Sequence, residues 1–381
     1  MICSKDKCTG CFGCYSICPK NAINMIEDEN GNIYPVIDKK KCINCGLCKK
    51  KCPQLSPTTF NYPLECFASY SSNSDLRNRS TSGGIATVIS KYILENGGVV
   101  FGAGNILNNE RFNFIMIDSV DDLYKIQGSK YIHVYINDVF IEIKKQLKNK
   151  KVLFIGTPCQ AAALKSVVGI NENLVIIDII CHGVPNQKLF IDDINSHNLE
   201  IKDVFFTSFR NQNGYYLDCY DSYENMKKNN PIFSSFANMD LYYRNFLKGN
   251  IFRKNCYSCS YARKERVSDI TLGDFWRLSS SCNIYDDLNK GISAVIINTE
   301  KGKNCFNSIK QYIKYEKREY EEIFKYNNQL NNPVSFPEKY DLFFLNYIKY
   351  GREKAYSSIT TFSDRLKYNK FYELYKSKNN K

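Results

Sequence analysis

Seventeen cysteines stand among the 381 residues, an odd number and far more than a chain in a reducing compartment carries without a metal or redox reason. Cys8, Cys11, Cys14 and Cys18-Pro19 form a C-x2-C-x2-C-x3-C-P run, and Cys42, Cys45, Cys48 and Cys52-Pro53 repeat it 34 residues later. Three closely spaced thiolates on a tight loop can hold three irons of one cubane, while the fourth, on the turn that follows, points to the other cubane. The spacing therefore assigns Cys8, Cys11, Cys14 and Cys52 to one 4Fe-4S cluster and Cys42, Cys45, Cys48 and Cys18 to a second. A pair of zinc sites needs only four ligands each and explains neither the third cysteine of each run nor the proline after it. Gly10, Gly13 and Gly46 suit loops whose backbone N–H groups approach cluster sulfurs.

Between the runs, short apolar segments at 23–26 and 33–37 flank Asn30-Gly31, a hairpin signal. Residues 1–55 resemble the bacterial two-cluster ferredoxin. Ser56-Pro57 and Tyr62-Pro63 mark a linker over 56–63, after which the pattern predicts a strand over 64–70. Ile85, Val88, Ile89, Tyr92 and Ile93 recur at helical spacing, and Gly97-Gly98 ends that helix before a strand over 99–102. Ser82-Gly83-Gly84 at the helix start offers N–H donors and the positive end of the helix dipole to a phosphate, or is an ordinary helix cap. A strand over 152–155 runs into Gly156-Thr157-Pro158-Cys159-Gln160, with a helix from near Ala161, and a strand over 174–180 runs into Cys181-His182-Gly183-Val184-Pro185. Strands that end in such loops put functional groups at the carboxyl edge of a sheet, where α/β proteins bind ligands.

These two loops, the Cys256-x2-Cys259 pair and the stretch from Asp269 through Gly273-Asp274-Phe275-Trp276 are together similar to the coenzyme F420 hydrogenase/dehydrogenase beta subunit family. Ser82-Gly83-Gly84 and Gly128-Ser129-Lys130-Tyr131 match it too, so the resemblance covers about residues 64–300. It implies a flavoprotein that binds FAD and one or more 4Fe-4S clusters and passes electrons between them and a reducible substrate. On that footing Cys159, Cys181, Cys256 and Cys259 make a third 4Fe-4S site, against the alternatives of structural zinc or buried unligated thiols. The same resemblance points to the N–H groups of Ser82, Gly83 and Gly84 for the flavin phosphates, with Lys130 as a charged contact and Thr157 beside them. His182 and Asp274 take the catalytic positions, His182 either donating a proton or ordering its loop, and Trp276 lines the pocket or the core. The chain differs from the family pattern at His133-Val134, Asn186 and Arg277, all near the presumed flavin and substrate edge.

The expected architecture is α+β: a two-cluster ferredoxin-like module over 1–55, a mixed α/β flavin-binding domain in two parts over 64–190 and 191–335, and a helical segment over 336–381. Helical periodicity in that last segment falls at 342–350 and 362–375. The net charge of +13 is scattered among acids and reads as a solvated surface, so no nucleic acid is expected as a partner. Lys39, Lys40, Lys41, Lys49, Lys50 and Lys51 flank cysteines, where each loaded cluster would bring a charge of about −2. The first residues show no secretory pattern, and the longest apolar run, 174–181, is interrupted by Asp178, so a cytoplasmic protein without a membrane span is expected. The function expected is an iron-sulfur flavoprotein oxidoreductase acting on a small organic substrate or deazaflavin coenzyme. The alternative is an electron-transfer subunit serving a redox partner protein, either a ferredoxin or an oxidoreductase subunit.

Overall fold

The computed structural model describes residues 2–56, 58–105, 110–211, 213–279, 282–284, 290–361 and 364. Strands β1 (Ile23–Glu27) and β2 (Ile33–Ile37) form the expected antiparallel hairpin, with Ile23 opposite Ile37 and Glu27 opposite Ile33. Gly31 takes φ 83° in its turn, and the Asp28 carboxylate accepts the N–H groups of Asn30 and Asn32 at 3.1 and 2.9 Å. Two strands bury too little to stand alone, and this module leans on the body. Phe12 is buried in the main core, Tyr15 Oη donates to Asp138 at 2.8 Å, Tyr135 Oη donates to Glu27 at 2.8 Å, and Ser166 Oγ donates to the Lys51 carbonyl at 2.9 Å.

The body is built on one eight-stranded sheet. Its strands are β3 (Glu65–Ser71), β4 (Val99–Ala103), β5 (Phe114–Ile117), β6 (Val152–Gly156) and β7 (Leu174–Ile179), joined by β11 (Ile270–Asp274), β12 (Ser293–Ile297) and β13 (Ile313–Arg318). The order is β13-β3-β12-β11-β7-β6-β4-β5. Strands β4, β6, β7 and β11 are parallel, and antiparallel neighbours close both flanks. Alternate residues of the central strands enter opposite layers, as the two-residue period requires. Val99, Phe101, Val152, Phe154, Leu174 and Ile176 join one core, whereas Val100, Leu153, Val175 and Ile177 join the other. Both faces are covered, which is why these strands read as nearly unbroken apolar runs. The two parts split at residue 190 both contribute strands to this sheet, and β8 (Phe206–Ser208), β9 (Tyr216–Tyr220) and β10 (Phe233–Phe236) form a separate antiparallel one.

The helix expected near Ala161 begins three residues earlier, at Pro158 (Pro158–Val168), because proline has no N–H to lose at a first helical position. The C-terminal segment is helical over Tyr340–Tyr350 and again over Arg352–Ile359, the chain reversing at Gly351, and Tyr340 Oη donates to the Phe252 carbonyl at 3.0 Å. The periodic stretch at 362–375 lies outside the described residues apart from Asp364. Among the described residues no helix is long and apolar enough to cross a membrane.

Candidate metal centres and active-site cavity

The helix Gly13–Ile17 ends at Cys18 and the short helix Leu47–Lys50 ends just before Cys52, and each carries its cysteine across to the other loop. One small void is consequently walled by Cys8, Cys11, Cys14 and Cys52, and another by Cys18, Cys42, Cys45 and Cys48. Gly10, Phe12, Asn44 and Gly46 all have positive φ, curling the loops around these voids. The N–H groups of Gly10 and Gly13 donate to the sulfurs of Cys8 and Cys11, and those of Gln54 and Leu55 to Cys52. Such donors stabilise thiolates and tune clusters. Cys3 adds its thiol as a hydrogen-bond partner of Cys8 and Cys52 and lowers both.

The third set gathers from distant parts of the chain. Cys159 opens the helix Pro158–Val168, Cys181 follows β7, and Cys256 and Cys259 sit on and just after the turn Lys254–Ser258. Cys159 feels the charges of Cys181 and Cys259, and Cys181 those of Cys256 and Cys259. Burial pushes all four thiols up, Cys181 and Cys256 to about 12, so without a bound cation they stay protonated. A single zinc ion would draw its sulfurs to about 3.8 Å from one another. Among the described residues no three cysteine sulfurs lie within 4.8 Å of each other.

The inner ferredoxin set abuts this third set. Cys11 lies within electrostatic reach of Cys159, and Tyr261, whose hydroxyl accepts from Gln54 at 3.2 Å, is influenced by both. A Cβ on Gly13 would stand 3.3 Å from the Ala163 methyl, so the glycine lets the cysteine loop lie against the helix without crowding it. Arg266, fully buried, pairs with Asp178 at 3.2 Å and donates to the Tyr261 carbonyl at 2.9 Å. Burial pushes the Asp178 carboxyl up, and Arg266 opposes the rise.

A cavity of about 460 Å3 opens at the carboxyl edge of the parallel strands. Ser82, Gly84, Lys130, Thr157, His182 and Asp274 line it, together with Cys181 of the third set and the first turn of the helix Ile85–Glu95. The first N–H groups of that turn have no acceptor within the helix, and its residues Ile85, Ala86 and Thr87 line the cavity. An outer cleft of about 1180 Å3 shares Thr81, Ser129, Arg210 and Trp276 with the cavity, and Trp276, 41% exposed, stands at the junction rather than in the core.

Several expected roles change once the bonding partners are known. Lys130 has no proton left for a phosphate: its ammonium donates to the carbonyls of Ile126, Gln127 and Gly128 at 2.7, 3.0 and 2.9 Å and staples that loop. Gly83 is absent from the wall, because a Cβ there would meet the Ser69 carbonyl at 2.3 Å, so packing against β3 requires the glycine. Thr157 donates to Gln160 Oε1 at 2.9 Å, which also accepts the Thr157 N–H at 3.0 Å, fixing the turn that presents Cys159. His182 Nδ1 accepts from Gln329 at 2.7 Å and Nε2 donates to the Leu247 carbonyl at 3.3 Å, so the loop-ordering role absorbs both nitrogens. Asp274 is paired with Arg210 at 2.9 Å.

Arg210 carried no signal in the sequence, being a lone arginine after β8. It binds the Thr81 carbonyl at 2.9 Å and Tyr131 Oη at 2.8 Å and lies 4.6 Å from the Tyr215 ring, tying three segments of the cavity rim together. His133 is 4% exposed, lies in the cavity wall, and neither ring nitrogen has a partner. Its other side packs on Gly10, where a Cβ would come within 2.8 Å of the imidazole.

Known families cover most of this framework. The C-terminal part of the coenzyme F420 hydrogenase/dehydrogenase beta subunit matches residues 149–323, and the N-terminal part of the same subunit matches 66–140. The chain belongs to this family. A 4Fe-4S dicluster domain matches residues 7–55, so the family body carries an iron-sulfur module at its front. Over 202 residues the chain is 24% identical to one subunit of the F420H2 dehydrogenase of Methanosarcina mazei, covering 50% of this chain and 57% of that protein. Over 165 residues it is 25% identical to the coenzyme F420-dependent sulfite reductase of Methanocaldococcus jannaschii, covering 42% of this chain and 25% of that one. The match thus spans little more than half of one curated relative and a quarter of the other. The front module is 42% identical to a ferredoxin of Methanocaldococcus jannaschii over 53 residues, 14% of this chain and 68% of the ferredoxin. The structure of the F420-reducing nickel-iron hydrogenase complex from Methanosarcina barkeri aligns with 78% of this chain and 91% of its own, at a TM-score of 0.47 and 17% identity.

Proposed function

We propose that this chain is an iron-sulfur flavoprotein oxidoreductase, in which two ferredoxin-type clusters and a third on Cys159, Cys181, Cys256 and Cys259 serve FAD in the neighbouring cavity. The observation that carries the reading is the unbroken succession of cysteine sets. The outer set adjoins the inner one, Cys11 of the inner set reaches Cys159 of the third, and Cys181 of the third is itself a cavity wall. A flavin supplies what a cluster cannot, exchanging single electrons on one side and a hydride with an organic substrate on the other. The chain's residues support its binding: the free N–H groups of the helix Ile85–Glu95 suit a phosphate, the Arg210–Asp274 pair holds the rim, and the orphan nitrogens of His133 await a polar partner. The substrate is a small organic molecule or a deazaflavin coenzyme, the class named by the F420-linked relatives.

Anaerobic reconstitution with iron, sulfide and FAD, followed by metal and flavin analysis and EPR of the reduced protein, tests this. About twelve irons and one flavin per chain are expected. About eight irons would remove the third cluster from the scheme, and no stoichiometric flavin would remove the cavity's role. Stoichiometric flavin without turnover of any soluble acceptor, until a partner protein is added, would favour an electron-relay subunit.

A further inference from the structure

The two ferredoxin sites differ in what surrounds them. In the inner set Cys8 and Cys52 are buried, and the body closes over them: Arg253, 1% exposed, donates to the Cys8 and Ile33 carbonyls at 3.2 Å each. In the outer set Cys45 is exposed and Cys18, Cys42 and Cys48 are partly so. Ile43, between two of these cysteines, is 57% exposed, with Leu55 at 50% on the same module. Lys20, Lys39, Lys40, Lys41, Lys49 and Lys50 are all exposed, in the sequence immediately flanking the outer cysteines.

We propose that this exposed pole is the docking face for an acidic one-electron carrier protein, and that electrons enter or leave the chain there. The inference rests on the reading that Cys18, Cys42, Cys45 and Cys48 hold a cluster.

Charge is the first argument. Asp38 is the one acid between residues 37 and 56, and its carboxylate stands 3.9 Å from the Lys41 ammonium. In that same window Lys39, Lys40, Lys41, Lys49, Lys50 and Lys51 stand against that aspartate and a cluster of about −2, a net of about +3, so the lysines exceed what neutralising the cluster needs. The second argument is composition: exposed apolar side chains beside the thiolates, with an ammonium rim, match the apolar centre and charged rim of transient protein interfaces. The third is reach: Cys45 of the outer set is exposed, whereas the inner set has two buried cysteines, Cys8 and Cys52, and none that is more than partly exposed. Complementary charge speeds encounter and fixes orientation without demanding a large interface, which suits a carrier that must also leave. In the transfer itself one electron would leave the carrier's centre, oxidising it, and the 4Fe-4S cluster that Cys18, Cys42, Cys45 and Cys48 would hold would be reduced by one; no bond forms or breaks and no proton moves.

The test uses the full reconstituted chain and an acidic two-cluster ferredoxin as the probe. The dissociation constant is measured by calorimetry with both proteins oxidised, between about 50 and about 300 mM KCl, where the screening length shrinks from about 14 to about 6 Å. The double variant Lys40→Glu/Lys49→Glu is compared with Lys314→Glu, an exposed site on β13 in the body. The expected result is that salt and the double variant each weaken binding at least tenfold, that Lys314→Glu does not, and that electron transfer from the reduced ferredoxin slows in parallel. EPR at the end point of excess dithionite must show the same clusters in every variant. Binding indifferent to salt or to the double variant, or equally weakened by Lys314→Glu, overturns the proposal. So does failure of the ferredoxin to bind while phosphatidylserine vesicles or an oligonucleotide do. An EPR spectrum without the outer cluster in the unmodified chain overturns the metal reading instead, so the two failures are distinct.

Discussion

A buried imidazole with no partner on either nitrogen costs about 1–3 kcal/mol, and His133 bears that cost in the wall of the cavity. Burial first, and Arg253 second, hold its pKa well below the usual range, so the ring is neutral, with one nitrogen to donate and one to accept. A ligand that fills the cavity is the natural partner. His133→Leu should therefore leave the thermal midpoint of the flavin-free chain unchanged or raised while weakening flavin binding about tenfold by equilibrium titration, equal to about 1.4 kcal/mol. A midpoint several degrees lower with unchanged flavin affinity would make the ring purely structural. Gly83 yields the opposite kind of prediction. With the Ser69 carbonyl at 2.3 Å from any Cβ, Gly83→Ala should cost roughly 1–3 kcal/mol of stability in chemical denaturation. The Ser-Gly-Gly signature was legible in the sequence, but not that its middle glycine serves strand packing, because Ser69 lies on another element. Lys130 is a related case: the three carbonyls that converge on its ammonium come together only in the folded loop and leave no trace in the sequence.

Elements whose identity depends on near neighbours could be read from the chain, and those fixed by distant ones could not. The β1–β2 hairpin, the helix after Ser-Gly-Gly and the strands before the two cysteine loops follow from local periodicity. The insertion of β12 between β3 and β11, and the Arg210 loop, depend on pairing between segments far apart in the chain and leave no local trace. The same holds for the clamp on the C-terminal helices. Arg352 opens the helix Arg352–Ile359 and binds Asp193, which faces His197 at 3.5 Å, and His197 in turn stands 3.3 Å from Asp240. Hydrogen bonds to Asp193 and Asp240 raise His197 to about 9, whereas burial raises Asp240 to about 6. A histidine raised above its unfolded value of about 6.5 stabilises the fold fully below that pH, and the contribution is lost as pH climbs through the folded value. Asp240, raised as well, also loses stability as pH climbs, but between its unfolded value of about 3.9 and its folded value of about 6, below the histidine's window. Between about pH 6.5 and 9 the histidine therefore dominates within this clamp, and the opening free energy of Tyr340–Tyr350 and Arg352–Ile359, taken from hydrogen exchange corrected for the base-catalysed rise of the intrinsic rate, should fall across that window. His197→Gln should flatten the dependence, and an unchanged profile in that variant would assign it to other groups.

At the scale of the whole molecule, the ferredoxin module is one end of the protein core. Phe12 and Ile33 pack into the same core as the central strands, and Tyr15, Tyr135 and Arg253 bond across the junction. The sequence marks a linker over 56–63, and these contacts join the module it connects to the body. Under the proposed relay this docking has a use, since it holds Cys11 within electrostatic reach of Cys159. Gly13 against Ala163 and Tyr261 between the sets keep that separation short. If the third set is the only bridge between the ferredoxin clusters and the cavity, removing it should divide the molecule into two halves that each still work. Cys256→Ala should lower the iron content from about twelve to about eight per chain and delete one EPR signal, while the ferredoxin pair is still reduced by dithionite. Flavin should still bind, since Cys256 is not a cavity wall. Transfer from the reduced clusters to the flavin, followed by stopped-flow absorbance, should slow by at least a hundredfold. Unslowed flavin reduction in a variant proven to lack the third cluster would mean that electrons cross directly past His133, the other route from the Gly10 loop to the cavity.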